Sequence, residues 1–179
     1  MATLYETGAN MFRNLNSDEI ECRIALVKQT GVQLLLYKNA RADQTILDET
    51  VGPKNWQRHH LRDNANCIVA IWDEEKRQWI EKEDTGVESY AEKEKGLASD
   101  SFKRACFNWG IGRELYTAPF IWIKKDFCHR LIAEGGKWKC FDNFTVEKIA
   151  IENKRITGLA IRNADTGKRC FIWQAPKES

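Results

Sequence analysis

The run from Ser89 to Tyr116, SYAEKEKGLASDSFKRACFNWGIGRELY, limits what this chain can fold into more than any other stretch. Ser89 and Glu92 fit a capping box, in which the hydroxyl and the carboxylate each satisfy an amide that a helix start leaves unpaired. Glu92 and Glu94 place negative charge where the helix dipole favours it. Ala98, Phe102, Ala105, Cys106 and Trp109 recur with helical period, so they fall in one sector and predict a buried stripe. Lys103 and Arg104 fall outside that sector. Gly110 and Gly112 stand where a helix stops on a left-handed residue. The expectation is one long helix, aromatic on its inner side, with two adjacent cations facing out. The plain alternative for those cations is a solvated face with an Asp100–Arg104 pair at i,i+4.

The segments before the helix read as strands and one shorter helix. Residues 1–16 suggest a mobile arm or a peripheral turn, and Ser17–Glu19 a short helical turn. ECRIALVK (21–28) and VQLLLY (32–37) form two strands about the Gln29-Thr30-Gly31 turn, a hairpin signal. Ala42, Ile46, Leu47 and Val51 give a helix over 40–51, stopped by Gly52-Pro53. WQRHHLR (56–62), NCIVAIW (66–72) and QWIEK (78–82) follow as three antiparallel strands, the middle one buried on both faces. The first is the basic one, with Lys54, Arg58, His59, His60 and Arg62 in or beside it. Adjacent histidines on a strand point to opposite faces, so His59 and His60 do not chelate one metal.

Beyond Tyr116, Thr117-Ala118-Pro119 breaks the chain and FIWIK (120–124) reads as a strand. Residues 125–139 give no clear pattern apart from a Gly135-Gly136 loop. Residues 144–152, 155–162 and 169–173 read as a small meander. The fold class expected is α+β: an antiparallel sheet with a β-β-β-α core and a leading hairpin, packed on one long helix, with a C-terminal β extension. Residues 1–125 form the core and 126–179 the extension of the same domain.

The chain has 179 residues, 42% of them apolar, enough for a real core. No stretch approaches the roughly 20 apolar residues of a membrane helix. The N-terminus lacks the basic start and apolar run of a secretory signal. Six cysteines without a C-x-x-C, four of them in apolar segments, point to a reducing, cytoplasmic compartment. Cys128, His129 and Cys140 match no zinc spacing and lack a fourth ligand, so no metal is expected. Net charge is only +2, but residues 1–102 carry 13 Lys and Arg against 18 Asp and Glu, and residues 103–179 carry 15 against 8. A basic second half permits phosphate contacts and counterion release.

The segment KGLASDSFKRACFNWGIGRELY resembles the helix of the Rad-fifty-two superfamily of single-strand annealing proteins, above all its phage and prophage branch, with the pattern KGxxSDxxKRAxxxxGIGRxLY. A second block, YKNARADQTILDETVGPKNWQ (37–57), is similar to the upstream segment of that branch, YxxARxxxxxLDExxGxxNWQ. The two stand in the expected order and cover about half the chain, residues 35–119. The resemblance implies a homo-oligomeric ring or filament that holds single-stranded DNA in a basic groove. It maps the groove's Lys-Arg pair onto Lys103 and Arg104. Eukaryotic members carry a further cation three positions on, where this chain has Phe107, and Arg113 matches the phage-type motif instead. Lys95, Arg41, Lys54, Arg58 and Arg62 complete the candidate nucleic-acid contacts. Trp56 and Trp109 also match motif positions and are assigned to the core. The implied partners are single-stranded DNA, further copies of the chain, and a host or phage single-strand-binding protein or exonuclease.

Catalytic patterns are missing. The sequence has no P-loop, no G-x-S-x-G and no H-E-x-x-H, and three histidines leave little for a triad. A cofactor-free, non-enzymatic binding protein is therefore the expectation. Annealing breaks no bond; it needs cations along a backbone and bases left accessible, with aromatic side chains to stack them. The alternative from the sequence is a nucleic-acid module that protects ends or recruits replication proteins without pairing strands. A metal-dependent nuclease is a third reading, without a supporting carboxylate spacing.

Overall fold

A computed structural model describes residues 11–87 and 93–176, with side chains described from residue 96 onward in the second segment. Two compact units share the chain: one is 38–112 with the stretch up to Asn14, the other is 15–37 with 113 onward. The class is α+β, mostly antiparallel sheet, with two α-helices among the described residues. The boundary placed at residue 125 falls inside the second unit.

In the first unit, α1 spans Ala40–Val51, the bounds expected from the sequence. Asn39 caps it by accepting from the Ala42 amide at 2.8 Å, and Gly52 ends it at φ 86°. Asparagine at the N-cap and a left-handed glycine past the end are what the unpaired amides and carbonyls of a helix require. The strands β3 (Trp56–Leu61), β4 (Asn66–Asp73) and β5 (Gln78–Thr85) form an antiparallel sheet in that order. β4, in the middle, buries Cys67, Val69, Ala70 and Ile71. Helix α2 spans Lys93–Asn108 and lies on β4 and β5. Phe102, Ala105 and Cys106 are fully buried on its inner side. Burying the Phe102 side chain stabilises by about 1.5–3 kcal/mol.

The helix stops where Gly110 and Gly112 were expected to stop it. It ends at Asn108, Gly110 (φ 97°) and Gly112 (φ 76°) turn the chain, and a separate 3-10 turn covers Arg113–Thr117. Three capping contacts fix this stop. Lys82 Nζ donates to the Asn108 carbonyl at 2.9 Å and lies 4.6 Å above the Trp109 ring. Trp109 Nε1 donates to the Val69 carbonyl at 2.9 Å, which holds it half-buried. A cation beside the last carbonyls also suits the helix dipole. The Ser89–Glu92 capping box lies outside the described residues.

The second unit corrects the expected architecture. It is not a sheet on one long helix. β1 (Ile20–Lys28), β2 (Gly31–Lys38), β6 (Ile121–Lys124), β9 (Phe144–Glu152), β10 (Arg155–Asn163) and β11 (Arg169–Gln174) form one sheet in the order β11-β10-β9-β1-β2-β6. The edge strands β11 and β6 come back beside each other, so the sheet nearly closes into a barrel. The leading hairpin and the C-terminal meander are thus parts of one sheet, joined where Glu21 pairs with Thr145. Its interior holds Val32, Leu34, Ile123 and Ile161. Gly31 allows the closest approach: a Cβ there would sit 2.1 Å from the Ile123 carbonyl oxygen.

Two further segments bear on the expectation. Of the two readings for residues 1–16, the mobile arm does not hold for 11–16, where Phe12 and Leu15 are buried, while residues 1–10 lie outside the described ones. Residues 125–140, patternless in the sequence, hold a hairpin of β7 (Leu131–Glu134) and β8 (Lys137–Cys140) about Gly135-Gly136. The meander stands as read.

Candidate nucleic-acid interface

The basic strand β3 is an edge strand of the three-stranded sheet. Lys54 before it, Arg58 within it and Arg62 directly after it are all exposed. Arg58 is held in place from beneath: its guanidinium carbon lies 4.9 Å from the centroid of the Phe102 ring. Phe102 in turn stacks on Trp56 at 6.1 Å and 23°. An arginine on an aromatic face loses fewer conformations when it takes a partner and keeps its donors free for an anion. Arg62 opens a tight turn of three left-handed residues, Arg62, Asp63 and Asn64. His60 sits on the Phe102 side of the strand, 3.4 Å from the Ser101 hydroxyl. Burial, and then the charge of Arg58, keep His60 below the usual histidine range. It therefore adds no positive charge at neutral pH. Arg41, in the first turn of α1, is exposed as well.

Lys103 and Arg104 are not two open cations. Both are half-buried, and they lie on different flanks of α2. Arg104 Nε stands 3.6 Å from Asp84 Oδ1 on β5, and Nε itself is buried without a hydrogen-bond acceptor. Asp100, its partner in the alternative reading, instead accepts from the Val87 amide at 2.9 Å. Lys103 lies on the side of α1, close enough to favour the ionised form of Asp43. The cations of this unit therefore sit along both edges of the small sheet, Arg58 at β3 and Arg104 at β5. Arg113 is exposed in the second unit. The Lys95 side chain lies outside the described ones.

Sequence reasoning missed a buried charge pair. Lys38, at the end of β2, is 1% exposed. Its Nζ donates to Asp43 Oδ1 at 2.5 Å and to the Ile111 carbonyl at 2.9 Å, and lies 3.9 Å from the Phe107 ring centroid. Phe107, at the position where the sequence resemblance would expect a further cation, faces the Lys38 ammonium group within the same unit. Burial pushes the Asp43 carboxyl up to about 6, against the opposing pull of Lys38. The signal was present: Lys38 ends an apolar strand and Asp43 lies one turn into the next helix.

The second unit carries an aromatic surface that was also missed. Phe120 is 69% exposed and stacks on Trp122 at 6.4 Å and 7°. On β2, Leu35 and Tyr37 are exposed, and Arg23 of β1 lies 4.8 Å from the Tyr37 ring centroid. Flat rings beside a guanidinium can stack bases of any sequence. Glu147 on β9 pairs with Arg162 and Arg169, at 2.9 and 2.6 Å, so two cations of the basic second half are neutralised within the sheet. The carboxyl is held down at about 2 by those two guanidinium groups.

Comparison with protein-family models, curated proteins and solved structures gave no match. No described helix is long and apolar enough to cross a membrane.

Proposed function

We propose that the chain binds single-stranded DNA without sequence preference and pairs complementary strands without ATP, as a homo-oligomer of the phage annealing type that its two sequence blocks resemble. One observation carries the reading: the exposed series Lys54, Arg58 and Arg62 along the β3 edge, with Arg58 braced on Phe102. Contacts of this kind go to phosphates and so leave base edges free for a second strand. Charged side chains on an edge strand also guard against stray sheet pairing. The brace under Arg58 is more than that guarding role requires, because a mobile arginine would serve it equally well.

Arg104 enters the reading differently than the sequence suggested. In the free chain its partner is Asp84. A phosphate can replace that carboxylate at little cost, since exposed or half-exposed pairs contribute only about 0–1 kcal/mol.

The test is annealing of complementary oligonucleotides at low salt, alongside binding to one strand over a range of salt. Wild type should accelerate pairing above the spontaneous rate. The triple variant K54A/R58A/R62A should bind less tightly, and its log–log salt slope should fall by about 2, near 0.7 per lost phosphate contact. Unchanged binding and slope would remove β3 from the interface. Tight binding without accelerated pairing would favour a protective or recruiting module, to which the stacked Phe120–Trp122 pair is equally suited. A solution mass that stays monomeric with and without DNA would count against an annealing oligomer.

A further inference from the structure

The base of the β7–β8 hairpin gathers three groups that the nucleic-acid reading does not use. Cys128, Cys140 and Asp142 bring one ligand atom each within 4.8 Å of one another. The Asp142 carboxylate is fully buried and both thiols are partly buried. Cys140 Sγ lies 3.7 Å from Asp142 Oδ2. In a tetrahedral zinc site with Zn–S near 2.3 Å and Zn–O near 2.0 Å, sulfur–sulfur separations are about 3.8 Å and sulfur–oxygen about 3.5 Å. The Cys140–Asp142 separation is thus close to the ideal, and the other two lie within 4.8 Å, before any ion is present.

We propose that Cys128, Cys140 and Asp142 bind one Zn²⁺, with a water as the fourth ligand. Two sulfur donors select a borderline-soft ion over Mg²⁺ or Ca²⁺. Binding takes one proton from each thiol: Zn²⁺ and two thiols give two zinc–thiolate bonds and two released protons. Asp142 is already oriented. It accepts from the His129 and Arg130 amides at 2.6 and 2.8 Å, leaving lone pairs for the metal. Carboxylate ligands are commonly oriented by such outer hydrogen bonds. Two thiolates, one carboxylate and Zn²⁺ leave one negative charge, and Arg130 Nε lies 3.6 Å from Asp142 to offset it.

The hairpin also needs such a clip. Each strand is four residues long, Ile132 through Lys137 are exposed, and only Leu131, Trp138 and Cys140 are half-buried. A two-stranded hairpin of that size is marginal by itself. A metal at its base would tie residues 128–142 together, as structural zinc does in small elements without a core.

Co²⁺ is the probe, added to the full chain after chelation and under reductant. One equivalent should give the intense thiolate-to-cobalt band and the visible bands of a tetrahedral ion, and Zn²⁺ should displace it. C128S and C140S should each lose the thiolate band, while C22A should keep it. Zn²⁺ should also protect Cys128 and Cys140, but not Cys22, from alkylation. A wild-type chain without the band would overturn the proposal, as would a band that survives in both C128S and C140S. Formation of a Cys128–Cys140 disulfide in air, with no metal uptake in reductant, would overturn it as well.

Discussion

A lysine and an aspartate with no access to solvent define the residue scale. Desolvation raises Asp43 to about 6 although Lys38 Nζ is only 2.5 Å away, so burial outweighs attraction for this carboxylate. Its ordinary value is 3.8. The folded chain therefore holds this proton more tightly than the unfolded one. The group's stability contribution is complete below about pH 4 and is lost as pH rises through 6. Denaturant midpoints of wild type and D43N between pH 4 and 7 check this. The wild-type margin over D43N should shrink with rising pH, by an amount on the order of 2–3 kcal/mol. A margin that grows instead would mean that the pair is better solvated than its burial implies. The pair's net worth is a separate matter. K38M leaves Asp43 buried without its cation and should cost about 3–5 kcal/mol, whereas K38M/D43N should recover most of that loss. Arg104 poses a residue-scale question of function. If phosphate displaces Asp84, then D84N should tighten single-strand binding and R104A should weaken it, each by a few-fold in a salt titration. Equal affinities for all three would show that Arg104 serves only the fold.

At the scale of elements, close approach decides what each position tolerates. Gly31 opens β2 at φ 150°, facing β6, and an added Cβ would meet backbone that cannot retreat without breaking the Gly31–Lys124 and Val32–Ile123 pairs. G31A should cost about 3 kcal/mol, read as a fall in the urea midpoint with most amide protection lost in β6. Intact protection there would show that β6 can shift. The same scale explains which elements could be read in advance. Helix α1 was legible from its apolar period and its Gly52 stop, while the Asn39 cap at its start is seen only in the fold. Helix α2 was legible in its stripe and in its stop at Gly110 and Gly112, but not in what holds that stop. The stop is made by Lys82 and Val69, which the folded sheet brings to it. The β7–β8 hairpin was illegible because its strands are short and mostly exposed, so no apolar alternation marks them. The β3 cations were visible as a basic stretch. The brace of Phe102 under Arg58 was not, since it joins a strand to a helix more than 40 positions on.

For the molecule as a whole, the division of the chain matters more than its list of elements. The hairpin β1–β2 looks like a leader to the β-β-β-α segment, yet its strands pair with β9 on one side and β6 on the other. No local pattern predicts that, because hydrophobic alternation fixes which face of a strand is buried and not which distant strand it meets. The chain also crosses between its two units at residues 14/15, 37/38 and 112/113. A cut at residue 125, which the sequence blocks alone would suggest, therefore does not release an intact core. It removes β9, β10 and β11, opens the edge of β1, and uncovers the inward side chains of β1, β2 and β6, among them Ile20, Val32 and Leu34. An open apolar edge favours aggregation over folding. A chain of residues 1–125 should thus give low soluble yield. In its soluble fraction, amides of β1 and β2 should exchange freely while those of β4 and α2 stay protected, because the contacts of β4 and α2 lie within 38–112. Protection of β1 and β2 equal to that in the full chain would show that three strands suffice, and that the nearly closed six-stranded sheet is not what holds the leading hairpin in place.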